Sequence, residues 1–240
     1  MSDEDEAGPA GHEGEEVEEE HAIVDKPLSK ELAASSLSIL SRLGYGLAHA
    51  YIKIQCVSRN ITDISLLEKY VHLRIVILSG NFITDLTPLS EMRSLMYLKA
   101  DHNRVAEGGQ VKPLDHLQLF DLSYNKLPNT DGFSHKSLKH LILNHNAILS
   151  LRGEFSPPLN HQKLPSLQTL EVRGNKLTTT EGLTYLPKVT TLYAAANMIT
   201  SLDNISYMTS LVRLHLRDNH IKKLDWFNSD LVNLEYLNLR

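Results

Sequence analysis

Residues 73–103 read LRIVILSGNFITDLTPLSEMRSLMYLKADHN, and this stretch holds two copies of one pattern, LxxLxLxxN. In the first copy Leu73, Val76 and Leu78 lead to Asn81; in the second Leu95, Leu98 and Ala100 lead to Asn103. Five further copies end on Asn125, Asn146, Asn175, Asn197 and Asn219. The seven starts step by 22, 22, 21, 29, 22 and 22 residues, and an apolar residue follows each Asn by two. Self-similarity at such a period marks a stack of short units, each able to bury its apolar side only against its neighbours.

The pattern is that of the leucine-rich repeat, and the physics of the spacing predicts the fold. The central x-L-x-L is a short strand whose alternate residues point inward and outward. The Asn falls where the chain leaves the strand, where its amide can both donate to and accept from backbone groups of adjacent coils. These asparagines are read as structural. The expected fold class is α/β: a solenoid of roughly 22-residue repeats with one parallel sheet on its concave face and an N-terminal capping helix. Two more windows extend the array to nine strands, Tyr51/Ile54/Cys56 at one end and Leu234/Leu237/Leu239 at the other. Arg59 stands where the first coil would carry its Asn, and Cys56 reads as a buried core thiol. A chain that stops inside its last strand leaves a coil without a polar cap, and predicts a fragment of something longer.

Three segments divide the chain. Residues 1–27 form an acidic tail, in which 11 Asp and Glu side chains occur before Lys26 and no Lys or Arg does. With almost no apolar residues to repay the ordering entropy, this tail is expected to be disordered. Set against the net charge of −5, the chain from Lys26 onward is a body of about +6. Residues 28–44 are expected to form the capping helix, with Ser29 as N-cap, Leu32, Ile39, Leu40 and Leu43 on the apolar side, and Gly44 as the stop. Residues 45–240 form the solenoid, and its one 29-residue step carries a loop at 153–163 containing Pro157–Pro158.

Chemistry is sparse by comparison. One cysteine excludes a disulfide scaffold and a paired-cysteine zinc site. The 12 histidines show no metal-ligand spacing, and no nucleotide, hydrolase or protease signature occurs. No catalytic residue, cofactor or metal is therefore expected, and the chain reads as a non-enzyme with no small-molecule substrate. No apolar run is long enough for a membrane span, and the mildly basic body with 6% aromatics argues against nucleic acid. Asn60 and Asn204 match glycosylation acceptors but read as ordinary turn residues. What remains is the outward row of each strand. The first half offers Ile75, Ile77, Tyr97, Leu119 and Ile142 as an apolar patch; the second gathers Arg173, Arg213 and Arg217 beside Tyr193 and Tyr236. Tyrosine and arginine on such a face suit a protein partner.

GLAHAY (46–51), ITDISLL (61–67), LKADHN (98–103), VRGN (172–175), LHLRDN (214–219) and LEYLNLR (234–240) resemble the SDS22-like leucine-rich repeat family, and within it an axonemal branch. The resemblance runs from about residue 29 to the end. It implies a structural role in the axoneme of motile cilia or sperm flagella, within the cytoplasmic cytoskeleton, as a component of the third radial spoke needed for motility. The implied partners are other radial spoke and axonemal proteins. The alternative within the family is a regulatory subunit that binds a protein phosphatase or a dynein heavy chain.

Overall fold

The computed structural model of the protein describes residues 24–44, 46–151, 162–183, 186, 188–202, 205–223 and 231–240. Nine three- to seven-residue strands run parallel in one sheet, stacked in chain order: β2 (His49–Gln55), β3 (Ile75–Ile77), β4 (Tyr97–Lys99), β5 (Leu119–Asp121), β6 (His140–Ile142), β7 (Thr169–Glu171), β8 (Thr191–Tyr193), β9 (Arg213–His215) and β10 (Tyr236–Asn238). A tenth strand, β1 (Leu37–Arg42), pairs antiparallel with β2 and forms the edge. The nine expected windows are the nine parallel strands. Short 3-10 turns at Ser65–Lys69, Thr87–Leu89, Gly108–Gln110 and Ile205–Tyr207 return the chain on the outer side.

Register brings the central leucine positions into one spine. Ile54, Val76, Leu98, Phe120, Leu141, Leu170, Leu192 and Leu214 pair in succession and are fully buried. The 29-residue step between Leu138 and Leu167 leaves this register intact, with His140 still opposite Thr169. The loop expected at 153–163 lies almost entirely outside the described residues, as does the tail up to residue 23. Cys56 is buried as expected, and burial pushes its thiol pKa up.

Each of the seven asparagines makes the same cross-coil contacts. The Nδ2 of Asn103 donates to the carbonyls of Leu78 in the previous coil (2.9 Å) and Ala100 in its own (3.1 Å). Its Oδ1 accepts the Ile83 N–H at 3.0 Å. Along the array the bond to the previous coil's strand-end carbonyl spans 2.7–3.0 Å. The bond from its backbone N–H spans 2.9–3.1 Å. A second ladder follows one residue later, as in Phe82 N–H to Ile61 O and Arg104 N–H to Ile83 O, both 2.9 Å.

The N-terminal cap departs from expectation. The helix α1 spans only Lys30–Ser36, opened by Ser29, whose hydroxyl accepts the Leu32 N–H. From Leu37 the chain becomes β1, so Ile39 and Leu40 are exposed strand residues and not a helical apolar side. The reason is the edge of β2: without β1 its backbone N–H and C=O groups would lack partners on one side, and pairing them outweighs local helix propensity. Gly44, at φ +59°, turns the hairpin that joins β1 to β2.

One column of the core is broken by a histidine. Three residues before the first leucine of each coil stand Tyr70, Met92, Leu114, Leu164, Leu186, Met208 and Leu231, but the β6 coil has His135 there. Its ring is fully buried against Phe120, with centroids 5.8 Å apart. Nδ1 accepts the Leu114 N–H at 3.1 Å, which puts the ring proton on Nε2, an atom with no partner among the described residues.

Two outcomes follow from these contacts. Replacing Leu141 by Ala should cost about 2–5 kcal/mol, as for other fully buried leucines; an unchanged melting curve would refute its place in the spine. Burial holds the His135 pKa down to about 4, against an ordinary 6.5. Across that window the unfolded chain takes a proton that the folded chain refuses, so stability falls as pH drops, by at most about 1.4 kcal/mol per pH unit. Above pH 6.5 the contribution is intact. His135→Asn keeps an acceptor for Leu114 and cannot titrate there, so its acid-limb melting profile should be flatter than that of the wild type.

Candidate functional site

The pleat sets three residues of each coil toward the concave side, and register aligns them in rows across the coils. One row runs Ile75, Tyr97, Leu119, His140, Thr169, Thr191, Arg213, Tyr236. The next runs Ile77, Lys99, Asp121, Ile142, Glu171, Tyr193, His215, Asn238. A third, at the strand exits, includes Ser79, Asp101, Ser123, Asn144 and Arg173.

In the first half Ile75, Ile77, Tyr97 and Leu119 meet as one apolar corner, with Tyr97 exposed and the other three half-buried. Ile142 does not join Ile77 along their shared row. Lys99 and Asp121 lie between them and pair at 3.7 Å. Asp121 and Ser123 occupy outward positions yet are buried: the carboxylate accepts both the Ser123 N–H (3.0 Å) and its hydroxyl (2.8 Å). Asp101 accepts the Ser79 hydroxyl at 2.5 Å and contacts His102 Nδ1 at 2.9 Å. The serine thus bonds to the aspartate and not to the imidazole, so no nucleophile is activated here.

The second half is a ladder of rings and guanidinium groups. Arg173 lies over the Tyr193 ring at 4.1 Å, Tyr193 stacks on His215 at 4.4 Å, and His215 meets Tyr236 at 4.7 Å. Glu171 anchors its start, accepting from Asn144 Nδ2 at 2.9 Å and facing Arg173 at 3.8 Å. Arg213 is exposed in the row beside the ladder, and Arg217 pairs with its exposed neighbour Asp218 at 3.2 Å. Burial, then the fields of Arg173 and Arg213, lower the pKa of His215. His215 was not among the residues singled out from sequence. It is the one that connects the two tyrosines, and its place between Tyr193 and Tyr236 is readable from the repeat spacing.

A second stack occupies the rim. His102, Tyr124 and His145 each precede a ladder asparagine, adopt φ between 53° and 54°, and stack at 4.2 and 4.3 Å. Gly174 fills the same position in the next coil, where a Cβ would lie 2.5 Å from the His145 ring. This left-handed position recurs in every coil with an asparagine, and only Gly80 and Gly174 meet it without a side-chain cost. Among the described residues no group of three His, Cys, Asp or Glu side chains is placed to hold a metal ion. No described helix is long and apolar enough to cross a membrane.

No family model matches the chain. Leucine-rich repeat-containing protein 23 of cattle is 42% identical over 151 residues, covering 63% of this chain and 42% of the relative. The mouse protein of the same name is 39% identical over 191 residues, covering 72% of this chain and 54% of the relative. The chain therefore spans about half the length, or less, of these curated relatives. Among solved structures, internalin C2 of Listeria monocytogenes superposes with a TM-score of 0.61 at 22% identity, covering 79% of this chain and 81% of that one. The leucine-rich repeat domain of APL1B gives 0.64 at 19% identity, covering 79% and 54%. The chain is a leucine-rich-repeat solenoid, related in sequence to leucine-rich repeat-containing protein 23.

Proposed function

We propose that the chain is a non-enzymatic, protein-binding scaffold of the motile-cilium or sperm-flagellum axoneme. In this reading it is a component of the third radial spoke, in the head region, and is needed for motility. The observation that carries the reading is the likeness to leucine-rich repeat-containing protein 23, at 39–42% identity over 63–72% of this chain. The face itself supports a protein partner. It offers an apolar corner with an exposed tyrosine and, beyond Asn144, a row of arginines interleaved with tyrosines, the residue types that dominate interface energetics. The partners proposed are other radial spoke and axonemal proteins, and the site is the cytoskeleton within the cytoplasm.

Fractionation of ciliated cells tests the location: the protein should stay with the detergent-resistant axoneme. Capture of a phosphatase from cells without motile cilia would favour the regulatory-subunit alternative. Two double variants test the face. Tyr97→Ala with Ile75→Ser should abolish capture of axonemal partners while shifting the melting temperature little. Arg213→Glu with Arg217→Glu should weaken capture and flatten its salt dependence, because exposed charge pairs are screened over about 8–10 Å at ordinary ionic strength. If both variants capture every partner at wild-type levels, the concave face is not the binding surface.

A further inference from the structure

The concave face is electrically lopsided. Across β2–β6 its outward charges balance, with Lys53 and Lys99 against Asp101 and Asp121. From β7 to β10 the outward positions hold Arg173, Arg213, Arg217 and Arg240 against Glu171 alone. Glu171 is already engaged by Asn144 and Arg173. Arg213 has no ion-pair partner among the described residues. The rings of Tyr193, His215 and Tyr236 back this row with low-dielectric surface, which strengthens any charge pair formed on it.

The same chain carries the complementary charge. Eleven carboxylates and no Lys or Arg precede Lys26, six of the carboxylates between Glu13 and Glu20. The root of this segment is fixed at the first coil: Thr62 donates its hydroxyl to Asp25, the Lys26 N–H donates to Thr62 at 2.8 Å, and Pro27 bridges to Asp63. From β2 to β7 is five strand steps and to β10 eight, roughly 24 and 38 Å at about 4.8 Å per step. Twelve residues separate Glu13 from Asp25; extended, they reach about 40 Å. Tethering also raises the local concentration of the segment to the millimolar range, where weak contacts suffice.

We propose that the acidic segment of residues 3–16 occupies the arginine and ring row of β7–β10 in its own molecule, with residues 17–24 as the tether, and so competes with a partner for that row. The proposal rests on the concave face being the working surface and adds its regulation. An incoming acidic partner must displace a tethered one, so the unoccupied face is shielded from stray polyanions and opens to ligands that also use the apolar corner at Tyr97.

Zero-length carbodiimide cross-linking of the full chain at low salt, read by mass spectrometry, tests the contact directly. Carboxylates of Asp3–Glu6, Glu13 or Glu15, which stand ten or more residues from Asp25, should join Lys222 or Lys223 in the coil after β9, roughly 34 Å from the Thr62 root at about 4.8 Å per step, and the products should run as monomer. They should vanish at about 0.5 M salt, where the screening length falls to a few Å, and in Arg213→Glu with Arg217→Glu. As a second readout, a fluorescent oligoglutamate probe should bind about tenfold tighter when the six glutamates from Glu13 to Glu20 are changed to glutamine in the full chain. Cross-links confined to Lys26, Lys30 and the first coils, or found only in dimer, would overturn the proposal, as would equal probe affinity. Partner capture is scored separately. Loss of capture in the Tyr97 variant with cross-links retained supports both readings, whereas cross-links with no axonemal partner at all would sink only the axonemal one.

Discussion

Everything in this solenoid depends on the amide of one asparagine per coil. At the strand exit the backbone bends away from the sheet, and the strand-end carbonyls and the N–H groups after the bend lose their ladder partners. An unpartnered buried backbone group costs about 1–3 kcal/mol. The Asn amide carries donors and an acceptor on one rigid plane, and at Asn103 it satisfies Leu78, Ala100 and Ile83 at once. A leucine there would fill the space and leave all three stranded. Asp would keep the acceptor and set a charge against the carbonyls.

From that constraint the remaining features follow in order. The amide must reach back one coil, so the residue before it turns left-handed, which places His102, Tyr124 and His145 in line on the rim. The strands it terminates stay short and in register, which stacks the central leucines into a continuous core and repeats the outward positions as rows. Rings in adjacent coils then lie 4.2–4.7 Å apart because the backbone holds them there. Arg59 in place of the first Asn fits the same logic: no coil of the array precedes β2 to be reached back to, and the Cys56 carbonyl of its own coil accepts from Asn81 of the next.

What could be read from sequence was whatever depends on local period. The spine from Ile54 to Leu214, the buried Cys56 and the asparagine contacts all follow from spacing, and so does Ser29 as a cap. The switch from helix to strand at Leu37 did not, because its cause is an unpaired edge on β2 and not a property of residues 37–43. Nor did the burial of Asp121 and Ser123, where one carboxylate collects a hydroxyl and an N–H and a position counted as surface becomes interior. The separation of Ile142 from Ile77 was legible in the register but obscured by counting apolar residues without the Lys99–Asp121 pair between them. His135 was visible as a departure from seven apolar residues at its position, a signal that comparing coils by column reveals and a search for motifs does not.

The 29-residue coil between β6 and β7 has a consequence of its own. A step seven residues longer than the usual 22 leaves His140 opposite Thr169 and Ile142 opposite Glu171. Contour length between strands is thus uncoupled from pitch along the sheet. The concave surface behaves as a ruler graduated by backbone hydrogen bonds, one mark about every 4.8 Å, on which insertions elsewhere leave no trace. A molecule that reads this ruler recognises an interval as well as a chemistry, and a chain can gain new outer decoration without resetting the scale.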